Sequence, residues 1–119
     1  MSNIPASDVT RLRHMLDAAD KIQQFLDGHE RTDLETDEML ALAIVRLLEI
    51  IGEAAARMSV DVQDELGEIP WAQIVGMRNR LIHGYFDVDL DIVWAVVCDD
   101  LPDLTEHIRS VLTPLDSST

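Results

Sequence analysis

The sequence predicts an all-α fold, an antiparallel bundle of four to five helices. Three observations carry that expectation. Apolar residues recur at helical spacing along almost the whole chain, no alternating apolar and polar run extends beyond a few residues, and the glycines and prolines fall where helices would stop or start. The chain has 119 residues, 47% of them hydrophobic. That suits one domain over residues 1–119, fraying at about 1–6 and 114–119, with a core that takes roughly two thirds of the unfolded surface out of water.

The first helix is expected from Ser7 or Asp8, either of which can cap it, to Asp27, with Gly28 as the stop. Val9, Leu12, Leu16, Ala19, Ile22 and Phe25 form its apolar stripe. After the polar loop GHERTDLETD a second helix starts near Thr36 or Asp37 and runs to about Met58, with Leu40, Ile44, Leu47, Ile51, Ala55 and Met58 as its main stripe. Val45 and Ile50 lie outside that stripe, which marks this helix as central or as shared with a partner chain.

SVDVQDELGEIP reads as a short helix and turn. Pro70 suits the first position of the next helix, PWAQIVGMRNRLIH, and Gly84 can close it in a left-handed cap. The last helix starts near Asp89 or Asp91 and passes Leu112, and Pro102 within it implies a kink or a break into two pieces.

Formal net charge is −14, with Lys21 the only lysine, so the field of the whole molecule repels nucleic acid and anionic membrane. Any chemistry on nucleic acid has to rely on a local basic site. Cys98 is the only cysteine and follows Val96 and Val97, which predicts a packed thiol in a reducing compartment. MSNIPASDVT lacks the regions of a signal peptide, and the most apolar run is interrupted by Arg46, Glu49 and Glu53. A cytoplasmic protein is expected.

On a helical wheel Arg78 points within about 60° of Ile74, Val75, Leu81 and Ile82, in the middle of an apolar stripe. A guanidinium there must find an acid, reach solvent or line a cleft, because leaving it buried and unpaired costs several kcal/mol. A structural ion pair with a carboxylate of the bundle is one reading and a site role is the other. Arg80 points to the polar face, as a solvated charge would. Asn79 can serve the local backbone or a site.

His83 follows Arg78 by five residues, about 140° around an ideal helix, so one regular face does not bring the two together. They converge only if the chain turns back after Gly84 or if a two-fold axis supplies one of them from a second chain. Alone, His83 reads as a helix-end histidine and Tyr85 as an aromatic lid. Together, Arg, His and Tyr suit phosphodiester chemistry, with His exchanging protons near neutral pH and Arg gripping phosphate. Glu53 can pair with Arg57 one turn on, or support a cleft. His14, His29 and His107 are scattered without ligand spacing, so neither a metal site nor a cofactor is expected.

RNRLIHGY, read as Arg-x4-His-x-Tyr, resembles the motif of the HEPN superfamily, in particular its HepT-type toxins paired with a minimal nucleotidyltransferase antitoxin. LLEIIGEAAARM, IPWAQIVGMRNRLIHGYFDVD and IVWAVVCDDLPDL extend the resemblance over almost the whole chain. The resemblance implies a dimeric four- to five-helix bundle whose two motifs share one cleft. It implies metal-independent cleavage of tRNA or mRNA, with Arg78 and His83 catalytic and Asn79, Glu53 and Tyr85 supporting. Tyr85 matches the residue to which the partner transfers AMP, a bulky anion that would fill the phosphate site. The alternative is a non-catalytic module that binds a nucleotide or docks the nucleotidyltransferase. A plain structural bundle would leave Arg78 without a reason.

Overall fold

The computed structural model describes residues 4–83 and 87–117. Helix α1 spans Ala6–Leu26, α2 Asp33–Thr36, α3 Glu38–Ala56 and α4 Val60–Glu65. Two short helices, α5 (Trp71–Val75) and α6 (Met77–Leu81), lead into strands β1 (Ile82–His83) and β2 (Asp87–Val88). Helix α7 (Leu90–Ala95) then passes through a π-helical turn at Val96–Asp100 into α8 (Leu101–Ser117). The fold is the expected all-α bundle with one two-residue antiparallel pair, Ile82 opposite Val88 and His83 opposite Asp87.

The core follows from helical spacing. Leu12, Met15 and Ile22 of α1 meet Ile44, Leu48 and Ile51 of α3, and Leu101, Ile108 and Leu112 of α8 close the other side. Helix α3 is central, as its broad apolar circumference predicts: Val45 is buried beside Ile44, and Ile50 is half-buried against the core. Asp37 caps it by accepting a hydrogen bond from the Leu40 N–H. Gly52 lets α3 lie against the backbone of α5, since a methyl group there would stand 3.0 Å from the Ile74 carbonyl oxygen. Gly28, at φ 79°, ends α1 in the left-handed region as expected.

Several expectations need correction. Phe25 is exposed, because α1 turns Met15, Ala18 and Leu26 inward instead. Asp8 does not cap α1; Pro5 precedes the helix, and the buried Asp8 carboxylate reaches across to α4. There it accepts from Ser59 N–H at 3.2 Å and Ser59 Oγ at 2.8 Å, and from Arg11 at 3.1 Å. Burial pushes the Asp8 pKa up, but the Ser59 and Arg11 hydrogen bonds outweigh it and hold the carboxyl below its ordinary 3.8. Part of the polar loop before α3 is helical, as α2, whose Leu34 is buried.

The helix expected from Pro70 to His83 is broken at Gly76, which bridges α5 and α6, and it ends at Leu81 rather than Gly84. Pro102 is accommodated without a sharp break. It has no N–H to give to the carbonyl four residues back, and the chain widens just before it, with the Leu101 N–H donating to Val96 O. Cys98 lies on the solvent side of that turn and is exposed, not packed, while Val96 and Val97 take the core positions. Among the described residues no helix is long and apolar enough to cross a membrane.

Candidate active site

The segment that carries the motif is built from short pieces braced against α3. Trp71, Ile74, Met77 and Leu81 are buried. These, and not Val75 and Ile82, define the inward direction: Val75 is 43% exposed and Ile82 half-buried. Arg78 therefore stands at the edge of the apolar stripe and not within it, with its side chain 67% exposed. Its Nε donates to Glu49 Oε2 of α3 at 3.1 Å. The acid that Arg78 finds is Glu49, more shielded than its partner at 20% side-chain exposure.

Arg78 and Glu49 line a cleft of about 170 Å³ together with Glu53, Gly52, Ala56 and Val75. Glu53 thus shares a wall with Arg78. It does not pair with Arg57; its Oε1 accepts from Arg46 Nη1 at 3.1 Å, two turns back along α3. Asn79 is exposed on α6, its backbone N–H donating to Gly76 O. Arg80 faces away from this cleft and lies 3.6 Å from Asp100, an exposed pair.

His83 begins its return in an extended backbone, since α6 stops at Leu81 and Ile82 adopts φ −119° and ψ 121°. The angle of about 140° that separates positions 78 and 83 on a continuous helix does not apply to this chain. Asp89 N–H donates to Leu81 O at 2.7 Å and so closes the base of the turn, and the Asp89 side chain caps α7 by accepting from Ile92 N–H. Gly84 and Tyr85 lie outside the described residues, and for His83 only the backbone is described.

Comparison with known proteins fits this arrangement. The family model for HepT-like ribonucleases matches residues 15–111, from the middle of α1 to α8, and includes the complete Arg78 to Tyr85 motif. The chain belongs to the HepT-like ribonuclease family. Ribonuclease is the activity class that membership carries.

A protein of Caldanaerobacter subterraneus subsp. tengcongensis named as a candidate RNase is 34% identical, the match covering 85% of this chain and 90% of that one. The Thermococcus cleftensis protein named "Probable ribonuclease HepT" is 37% identical over 78% of this chain and 84% of its own. A longer protein of Methanocaldococcus jannaschii, named gamma-glutamylcyclotransferase and candidate RNase, is 35% identical; the match takes in 90% of this chain but spans only 48% of that protein. No solved structure matches the chain significantly.

In this HepT-like chain, sequence reasoning missed Glu49 and Gly52 as parts of the site. Glu49 stands on α3 at i−4 from Glu53, which would have marked both for one face. The glycine inside an otherwise strong helix signalled a close backbone approach.

Proposed function

We propose that the chain is the toxin of a toxin–antitoxin pair, a metal-independent endoribonuclease that works as a homodimer. Arg78 and His83 are its catalytic residues, Asn79, Glu53 and Tyr85 support them, and a minimal nucleotidyltransferase partner silences it by placing AMP on Tyr85. The observation that carries the reading is Arg78. It is held by Glu49, turned to solvent in a cleft, and placed just before a chain reversal that starts at His83.

In this reading a ribose 2′-hydroxyl attacks the neighbouring phosphorus and the 5′-oxygen of the next nucleotide leaves. His83 takes the hydroxyl proton or returns one to the leaving oxygen, a contribution of about 10²- to 10⁴-fold. Arg78 donates to the non-bridging oxygens as charge gathers on them, which is worth about 3–4 kcal/mol for a well-placed donor. The products end in a cyclic phosphate.

A dimer is supported by apolar surface close to the motif. Met39 is 82% and Leu42 60% exposed on α3. Leu42 flanks a groove of about 430 Å³ shared with Leu34, Val45, Val88 and Leu90, so β2 and the start of α7 form one wall. A second copy seated there would cover this surface and bring the two motifs toward each other.

The test is cleavage of RNA by purified protein with Tyr85 shown by mass to be unmodified, in the presence of a chelator, beside His83→Ala. Cleavage with cyclic phosphate ends that disappears in the variant is expected. No cleavage by the unmodified protein would favour a non-catalytic module that binds a nucleotide or docks the nucleotidyltransferase, a reading that suits the −14 charge.

A further inference from the structure

An enzyme for RNA with a net charge of −14 must concentrate its cations. Of the nine lysine and arginine residues, seven face a carboxylate: Arg11 with Asp8, Arg13 with Asp116, Arg31 with Glu35 and Asp91, Arg46 with Glu53, Arg78 with Glu49, Arg80 with Asp100, and Arg109 with Asp20. Arg57 and Lys21 have no such partner among the described residues. The cleft at Arg78 holds one guanidinium, itself paired with Glu49, so it cannot by itself attract a polyanion.

Next to it, between α1 and α3, runs an open groove of about 500 Å³ walled by Arg11, His14 and Thr10 on one side and Arg57, Ile50 and Glu53 on the other. Glu53 lies on the boundary of both cavities. Its charge is met by Arg46, and the Asp8 charge behind Arg11 is buried and met by Arg11. Arg57 therefore leaves the groove with a net positive charge, and the His14 ring offers a further N–H donor. Glu49, Glu53 and Arg57 follow one another at intervals of one turn, about 12 Å of α3 in all.

We infer that this groove between α1 and α3 is a second phosphate-binding site for single-stranded RNA, in which Arg57, with Arg11 and His14, holds the strand's backbone while its scissile phosphate lies at Arg78. The inference rests on the ribonuclease reading and extends it. It resolves how an acidic protein takes an anionic polymer, because the strand is gripped where the surface is not negative. Thr10 Oγ1 on the same wall donates its proton to Ala6 O and so is left as an acceptor, suited to a ribose hydroxyl rather than to a phosphate oxygen.

The experiment uses the full chain carrying His83→Ala, so that RNA is bound without being cut, and follows a fluorescently labelled single-stranded RNA by anisotropy across a salt series. Adding Arg57→Ala should weaken binding about tenfold and lower the slope of log affinity against log salt by about one. Arg57→Lys should recover most of the affinity, and Lys21→Ala, the removal of the other unpaired cation, should change neither quantity. RNA binding that survives Arg57→Ala with the same salt slope, or that falls equally with Lys21→Ala, would overturn the second site and leave the ribonuclease reading intact. Absence of RNA binding by the His83→Ala parent would overturn both. Circular dichroism melts confirm that each variant is folded; Arg57 is exposed at the end of α3, so its loss leaves the core untouched.

Discussion

The α1, α3 and α8 core and the segment from α5 to β2 are built on opposite terms. In the core, long helices meet through fully buried side chains such as Leu12, Leu48, Ile51 and Ile108. The motif segment is a chain of short pieces, two five-residue helices and a two-residue strand pair, anchored by Trp71, Ile74, Met77 and Leu81 while Arg78, Asn79 and Arg80 face outward. Helices of that length do not persist alone in water and depend on what they pack against. Stability resides in one region and the proposed chemistry in the other, and Gly52, where α3 touches α5, is the joint between them.

The sharpest way to break this division is to show that the motif region also carries the fold. Arg78→Ala removes an ion pair whose guanidinium is largely in water, so unfolding in urea should change by less than about 1 kcal/mol. RNA cleavage should fall about 10²- to 10³-fold under single-turnover conditions. A large stability loss together with a small rate loss would make Arg78 a structural residue. Leu48→Ala should show the reverse, a loss of about 2–5 kcal/mol in urea unfolding from a fully buried site, with the rate per folded molecule nearly preserved.

A smaller effect comes from the polar contact that joins α1 to α4. Asp8→Ala should cost about 1–3 kcal/mol, because Ser59 and Arg11 lose a buried acceptor. The Asp8 pKa is lower in the folded chain than its ordinary 3.8. Its contribution is therefore fully present above about pH 4–5, and is lost as pH falls through the folded value. Acid titration of stability in wild type and Asp8→Ala should converge below that value; curves that stay parallel would remove Asp8 from the balance.

The core was legible in the sequence because each long helix announces itself by spacing, and both the Asp37 cap and the Gly28 stop are local signals. The motif region was harder to read. A glycine inside a helical pattern is compatible with continuation, so the break at Gly76 gave no warning, and two paired residues per strand are too few to show alternation. Arg78 was flagged as having to find an acid, reach solvent or line a cleft, and it does all three, but its direction was misjudged because Val75 and Ile82 were counted as inward. Glu49 as its partner, Arg46 as the partner of Glu53, and the groove that joins Arg11 to Arg57 all require knowing how α3 rotates and what lies against it. No pattern within one helix holds that information.

The π-helical turn at Val96–Asp100 also acts as a length gauge. It takes up one more residue than a regular turn while the helix on either side keeps its facing, so deleting one residue there should restore a regular turn, whereas the same deletion in the regular turns of α8 would swivel everything upstream by about 100° about the helix axis. Val93, now fully buried, would be carried away from the core, and Asp91 away from Arg31. The strand that pairs with His83 is attached to that same helix by a single residue, Asp89, so a wide turn more than ten positions from the motif keeps the angle at which the chain reversal is presented while it absorbs a surplus residue.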